Sequence, residues 1–442
     1  MSATTVSPPA TTDPPRQQGR FTELNELART TPGVLTITAV ALVLVSVLVG
    51  VLTAIGVQTR ATALDDLATS SGPLSVAAQD IYRSLSDADA TATGAFLAGG
   101  EEPADQRARY ENDIAQAESS LAIAVAAREP GDVTAKGSPL ATLSAQLSVY
   151  TGLVETARAN NHQGLPVGAA YQREASNLMR TELLPAAQEL YRAEVANVSA
   201  DQDDAGAFPL LEILVGLAGL GVLVAAQVYL RRRSNRVFNV GLLVATAAVL
   251  ISLIWVVAAT AGVRANVNDS RLESESENVL AEARIATLTA RSDETLTLVA
   301  RGSGAAFEED YVEVNERLAK LLNTASSGGS SGEATEHVLA ARRAWQAWDE
   351  VHRDIRAADG SGDYTRAVEL AIGPAEDGAA AQFDAVDSGL REAIGLTTNR
   401  FNDEVSQASN AVTGTVLGVI VLAVLMAAGS VAGIWQRLKE YR

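Results

Sequence analysis

An uncharged run of apolar residues, Val34–Val57, constrains this chain more than any other stretch. At 1.5 Å of rise per residue, roughly 24 residues make a helix of about 36 Å, enough to cross a bilayer core of about 30 Å. Runs of the same kind recur at Phe208–Leu230, Val237–Val263 and Ala411–Trp435. The first is far longer than a signal-peptide core and no small-x-small cleavage site comes after it, so it reads as an uncleaved anchor. Two long segments, 58–207 and 264–410, and one short connection, Arg231–Arg236, fill the gaps. The expected architecture is an all-α membrane protein with four transmembrane helices.

Charge sets the orientation. The formal net charge is −19, but the short connection carries four arginines and the tail is basic through Arg437, Lys439 and Arg442. Both long segments are strongly acidic, and the head, 1–33, is balanced. Basic residues gather in short loops on the cytoplasmic side. The predicted topology in the cell (plasma) membrane therefore has the head (1–33), the loop (231–236) and the tail (436–442) inside, and segments 58–207 and 264–410 outside. An arginine cluster wedged between two spans is not expected to bind nucleic acid; membrane lipid is its natural partner. With no cysteine in the chain, no disulfide, thiolate metal site or cysteine nucleophile is available.

Residues 1–20, rich in Pro, Thr and Ser, predict a disordered cytoplasmic head, succeeded by a short surface helix at Phe21–Arg29 and a break at Thr31–Gly33. Beyond the first span the pattern becomes a 3-4 step: Leu64, Leu67, Leu74, Ala78, Ile81, Leu85, Ala88, Ala92 and Ala95, with Ser71 in the missing slot. That is a bundle seam, with a kink expected at Gly72-Pro73. A second helix carries Ile114, Ala117, Leu121 and Ala124. A third carries Leu140, Leu143, Leu147, Tyr150, Val154 and Ala157. A fourth is expected to run from about Gly168 into the second span, bent at Pro185. With no strand pattern, the segment reads as an antiparallel four-helix bundle. The second long segment repeats the plan, with Ile285, Leu288, Ser292, Thr295 and Val299 as its first seam and Pro374 inside its last helix. Gly100 and Gly304 stand 204 positions apart, close to the spacing of spans one and three. An internal duplication is expected, one span–bundle–span unit used twice.

Chemistry is scarce. No Walker loop, dinucleotide fingerprint, metalloprotease motif or nucleophile elbow occurs, and the three histidines, His162, His337 and His352, are not at ligand spacing. The acids read as solvated helix faces. No catalytic residue, metal site or cofactor is expected, and the chain is read as non-enzymatic. Three features stand out. Gly99, Gly100, Glu101 and Glu102 with Asn160, Asn161 and His162, and Glu308 with Asp359, Asp363 and Tyr364, form two pairs of turns expected at the membrane-distal tips, where a partner can dock. Arg342, Arg343, Trp345 and Trp348 combine the residue types that dominate binding hot spots, although tryptophans at this spacing also fill bundle cores. Glu212, one turn inside the second span, and Arg231, Arg232, Arg233 and Arg236 are candidates for signal coupling, because six residues force spans two and three to be neighbours and small helix shifts can carry a signal.

Each span–bundle–span unit resembles the four-helix-bundle sensor regions of bacterial chemoreceptors and histidine kinases, without their cytoplasmic linker or kinase. The whole chain, in tandem order, Ala/Val-rich composition and basic middle loop, resembles the actinobacterial GlnX-type four-span membrane proteins. That resemblance implies a non-enzymatic transducer of extracellular amino-acid availability, with a solute-binding lipoprotein of the GlnH type outside and a Ser/Thr kinase, protein kinase G, inside. The competing expectation is a structural or assembly protein of the envelope in which the bundles are spacers.

Overall fold

The computed structural model describes residues 31–438 apart from 100–101, 129–130, 132, 134, 136, 235–238 and 328–331. The expected disordered head and the Phe21–Arg29 helix therefore lie outside the described residues, as do Gly100, Glu101, Arg236 and the last residues of the tail. Among the described residues every regular element is helical and there is no strand.

In chain order the elements are α1 (Thr31–Asp66), a π turn (Leu67–Ser71), α2 (Gly72–Ala98), α3 (Ala104–Ala126), α4 (Pro139–His162) and α5 (Val167–Leu178). A second π turn (Met179–Leu183) leads to α6 (Leu184–Ala205), then α7 (Leu210–Ser234) and α8 (Val240–Val299). The remainder is α9 (Ala305–Ser327), α10 (Gly332–Gly360), α11 (Tyr364–Ile372), α12 (Ala379–Val412) and α13 (Thr415–Leu438). The chain divides into two compact units, one of 1–58, 209–258 and 414–442, the other of 59–208 and 259–413.

The first unit holds the apolar runs, on four helices long and apolar enough to cross a membrane. A thin core of Leu35, Leu42, Val49, Leu223, Leu242, Val249, Met426 and Ile434 holds them together. Around it Leu44, Leu214, Ile254 and Leu417 expose 63–68 % of their surface. Such a shell suits lipid tails, and it marks a multi-pass membrane protein. Where side chains are smallest the backbones meet directly. A Cβ on Gly241 would stand 2.4 Å from the Gly429 carbonyl oxygen and from the Gly433 nitrogen. Gly429 and Gly433 form the small-xxx-small spacing that lets membrane helices approach closely, and Asn239 Nδ2 donates to the Gly433 carbonyl at 2.8 Å. Thr31–Gly33, expected as a break, is already helical. Arg231, Arg232 and Arg233 belong to the end of α7 and not to a loop.

The second unit brings both long segments into one body. All ten positions of the first seam, Leu64 to Ala95 with Ser71, are buried, and the α4 stripe from Leu140 to Ala157 is buried throughout. The core of the first segment, around Ile81, Leu85, Leu143, Tyr150, Met179 and Leu183, also takes in Ala281 and packs on Ile285 of α8. Two further cores lie in the second segment, one around Leu318, Leu322, Val338 and Leu390, the other around Tyr311, Trp348, Ile355 and Phe383.

At Gly72-Pro73, where a kink is expected, and at Pro185, where a bend is expected, the chain stays helical and carries a π turn just upstream; two other expectations about breaks change. A proline ring collides with the carbonyl four residues back, and these carbonyls, of Thr69 and Thr181, lie inside the two π turns. The fourth helix does not run on into the second span; α6 stops at Ala205, and Gly206–Pro209 separates it from α7. Likewise Pro374 lies in a break between α11 and α12, and α12 gives way to α13 at Gly414, whose φ is +78°.

Candidate functional site

The inner stretches of α2 and α8 are buried on every side, and both mix Ala, Ser, Thr and charged residues with a few leucines. On α2, Ser84, Ser86, Asp87, Asp89 and Thr93 are all buried; on α8, Arg284, Thr287, Arg291, Ser292, Asp293, Glu294, Thr295 and Thr297 are too. The acids of these stretches are thus not solvated faces, contrary to expectation. Small side chains let neighbouring helices approach, and each buried charge then needs a partner.

Asp89 sits at the middle. Its Oδ1 accepts from Ser176 Oγ at 2.9 Å and Tyr150 Oη at 3.3 Å, and its Oδ2 accepts from Ser292 Oγ of α8 at 3.1 Å. Thr93 Oγ1 extends the network, accepting from Gln172 Nε2 at 3.1 Å. Burial pushes the Asp89 carboxyl upward, against the pull of these hydrogen bonds. Its neighbour Asp293 accepts from Arg180 Nη1 at 2.8 Å through one oxygen only. Burial holds it at about 7. Arg180 also pairs with Asp310 and lies over the Phe307 ring.

The next residue, Glu294, is enclosed and accepts three bonds: from Arg291 Nη1 at 2.6 Å, from Trp348 Nε1 at 3.1 Å and from His352 Nδ1 at 3.0 Å. The other ring nitrogen of His352 lies 3.3 Å from Glu308, which also holds Arg356 at 3.0 Å. Tyr311 stacks on the imidazole with centroids 3.6 Å apart. Burial opposes the charge on His352, but the hydrogen bonds it donates to two carboxylates prevail and raise it to about 9. With an acceptor on each nitrogen, the ring is a doubly protonated imidazolium. A third cluster joins Arg284 to Asp387 at 2.5 Å, with Arg391 on the same carboxylate. A fourth joins Arg109 to Asp87 at 2.9 Å and to Asp384 at 3.2 Å. Asp113 is buried with an oxygen that has no hydrogen-bond partner, and burial pushes it up to about 7.

The expected tip residues come together in pairs of turns, with most of their polar groups engaged. Gly99 has φ +90°, and Asn161 Nδ2 donates to the Phe96 carbonyl just before it, joining the two turns. Glu102 turns inward to Arg158 at 2.7 Å, and Asn160 bonds back to Thr156. His162 is exposed. The α4 end and the α10 end close alike. Gly164 and Gly362 take positive φ, and Leu165 N–H donates to Asn160 O as Asp363 N–H donates to Ala358 O, both at 2.9 Å. These are Schellman closures. Glu308 is committed to His352 and Arg356, Asp359 to Arg356, Asp363 caps α11, and Tyr364 Oη donates to Leu298 O.

Arg342, Arg343, Trp345 and Trp348 do not form one surface. Trp348 is enclosed, Trp345 donates to Asn315 Oδ1 at 2.7 Å, Arg342 reaches Ser326 and Arg343 is exposed. In the spanning unit the Glu212 carboxylate lies against Gly56, where a Cβ would stand 2.0 Å from its Oε1. Arg231 and Arg232 are exposed, and the side chains of Arg233 and Arg236 lie outside the described residues.

The residues that sequence reasoning missed are Asp89, Asp293, Glu294 and their partners. A partial cue was present on α2, where Ser84–Thr93 carries no long polar side chain; Arg291, Asp293 and Glu294 on α8 offer no such cue.

The sequence model of one family, described as an actinobacterial sensor domain, matches residues 63–203. The match runs from the end of α1 through α6 and takes in Asp87, Asp89, Tyr150, Ser176 and Arg180. No curated protein and no solved structure matches the chain.

Proposed function

We propose that this protein is a non-enzymatic membrane sensor that relays extracytoplasmic amino-acid availability, through a solute-binding lipoprotein, to a Ser/Thr kinase in the cytoplasm. The single observation that carries the sensing role is the sensor-family match over 63–203. The basic residues at the end of α7 support the inside position of both termini, and the resemblance to GlnX-type proteins supports the lipoprotein and the kinase. The paired Schellman ends of α4 and α10 support reading the two halves as one unit used twice.

The polar seam supplies the moving part. Apolar contacts tolerate gradual sliding, whereas polar links between helices, such as Arg180–Asp293, Arg284–Asp387 and the Ser292–Asp89 hydrogen bond between α8 and α2, favour discrete registers. A partner that biases one register at the turns near Gly99 and Tyr364 shifts α2 against α8. Both α1 and α8 are helical from the apolar runs into the acidic segments, so they are the elements that pass the shift on.

The test is in-cell photocrosslinking from Glu101 and Tyr364, read together with phosphorylation of the kinase's substrates as external amino acids are varied. Capture of a solute-binding lipoprotein, with a kinase response lost on Asp89→Leu but kept on exposed-surface controls, is expected. Recovery of no lipoprotein in cells that express it, or an unchanged kinase response in a null strain, overturns the relay. Altered cell shape with intact kinase signalling after charge reversal of Arg231 and Arg232 favours the envelope-spacer role instead.

A further inference from the structure

A cavity of about 560 Å³ opens where four helices of the second unit converge: the start of α2, the end of α6, α8 around Ser274 and α12 around Phe401. That volume lies in the range of small-molecule sites, about 300–1,000 Å³. One wall is built on Gly72 and Pro73, directly after the π turn Leu67–Ser71. Local π turns recur at functional sites because they widen the helix and re-aim the side chains beyond them. Here the widening requires glycine: a Cβ on Gly72 would stand 2.3 Å from the Leu67 carbonyl oxygen.

The charges of the lining identify the ligand. Four charged residues border the cavity, Asp203, Arg271, Glu275 and Glu277. Arg271 and Asp203 are paired with each other, which leaves two carboxylates and a net negative lining. The α2 wall contributes no titratable group, and on α12 Arg400 faces Glu273, 3.8 Å away, rather than the cavity floor. Glu277 is the most enclosed of the acids. Desolvation, and then the nearby Glu273, set against a hydrogen bond from Thr398, put it at about 7. Val76, Val198 and Phe401 supply the apolar part of the lining. An anionic ligand would have to separate Arg271 from Asp203, and a neutral one would leave the carboxylates uncompensated. The second notable hollow, about 160 Å³, is small, and its two arginines, Arg109 and Arg291, are already paired.

We infer that this cavity is a binding site for a small organic amine, with the ammonium group on Glu277 and the carbon body against Phe401 and Val198. The inference does not depend on the lipoprotein–kinase relay, since binding is read on the purified protein alone.

The experiment is calorimetric titration of the full-length protein in lipid nanodiscs with four probes of matched length: 1,4-diaminobutane, 4-aminobutanoate, 1,4-butanediol and succinate. The diamine is expected to bind and the diol and succinate to give no heat. Glu277→Gln is expected to weaken diamine binding at least tenfold with an unchanged unfolding midpoint, and Val198→Trp to abolish it by filling the space. Because a bound ammonium favours ionised Glu277, diamine binding is expected to tighten from pH 6 to pH 8 in the wild type and to stay flat in Glu277→Gln. Absence of diamine binding to folded protein, equal binding of the diol, tighter binding of succinate, or wild-type affinity in Glu277→Gln each overturns the assignment.

Discussion

His352 shows how much of the second unit depends on single protons. The imidazolium is clamped between Glu294 and Glu308 and held at about 9, above an ordinary value of 6.5. A group whose folded value is raised contributes stability that is full below its unfolded value and lost as pH climbs through the folded one. The window is therefore pH 6.5 to 9, and the contribution at its acid end is at most about 3.5 kcal/mol, from about 1.4 kcal/mol per pH unit. His352→Gln is expected to lower the unfolding midpoint in detergent by several degrees at pH 6, with the gap to wild type closing by pH 9.5. A gap that stays constant across that range would mean that packing against Tyr311, not charge, is what His352 supplies. Asp293 and Asp113 obey the same sign in a lower window: both are raised to about 7 from 3.8, so their ionisation erodes stability as pH rises from about 4 to about 7.

The helices carry their irregularities where proline puts them, and the two π turns are the clearest case. Both surround the carbonyl four residues before a proline, Thr69 before Pro73 and Thr181 before Pro185. At the first of them, Gly72 and Pro73 are coupled: the proline causes the widening and the glycine makes room for it. Gly72→Ala alone is expected to cost about 1–3 kcal/mol, as for other overpacked sites. In the double variant Gly72→Ala/Pro73→Ala the turn can relax to α, and part of that loss is expected to return. Thermal midpoints of the two single variants and the double variant form the cycle; strictly additive losses would show that the π turn is held by tertiary packing instead. The sequence made these elements legible where the cue was local. Apolar runs and the 3-4 step announce the four spans and the α2 and α4 stripes. Proline alone does not say whether a helix kinks, widens or ends: Pro73 widens one, while Pro374 lies where one stops. Only the neighbours on other helices decide that.

At the scale of the whole molecule, the two acidic segments are less independent than their order in the chain suggests. The similar order of stripes and turns in the two segments made each look like a complete bundle, and one stripe per helix was all the pattern displayed. The inner stretches of α2 and α8 bury every face because the halves cover one another, as Ser292 on Asp89 and Ile285 on the first core make plain. That covering cannot be read from either half alone, which is why the charges at Asp89, Asp293 and Glu294 looked like solvated faces. The isolated segment 59–208 is accordingly expected to self-associate, substituting a second copy of itself for α8, while 59–208 linked to 259–413 stays monomeric by light scattering. A monomeric, cooperatively folding 59–208 would refute the dependence. The same feature has a consequence in time. A ribosome adding about 5–20 residues per second needs roughly 5–20 s to make the approximately 90 residues from the end of α6 to Glu294. Throughout that interval the first half waits with Asp89 short of one of its partners and its apolar inner face uncovered. Synthesis of this protein therefore contains an enforced pause before its core can close, and a chaperone or a neighbouring nascent chain has that long to reach it.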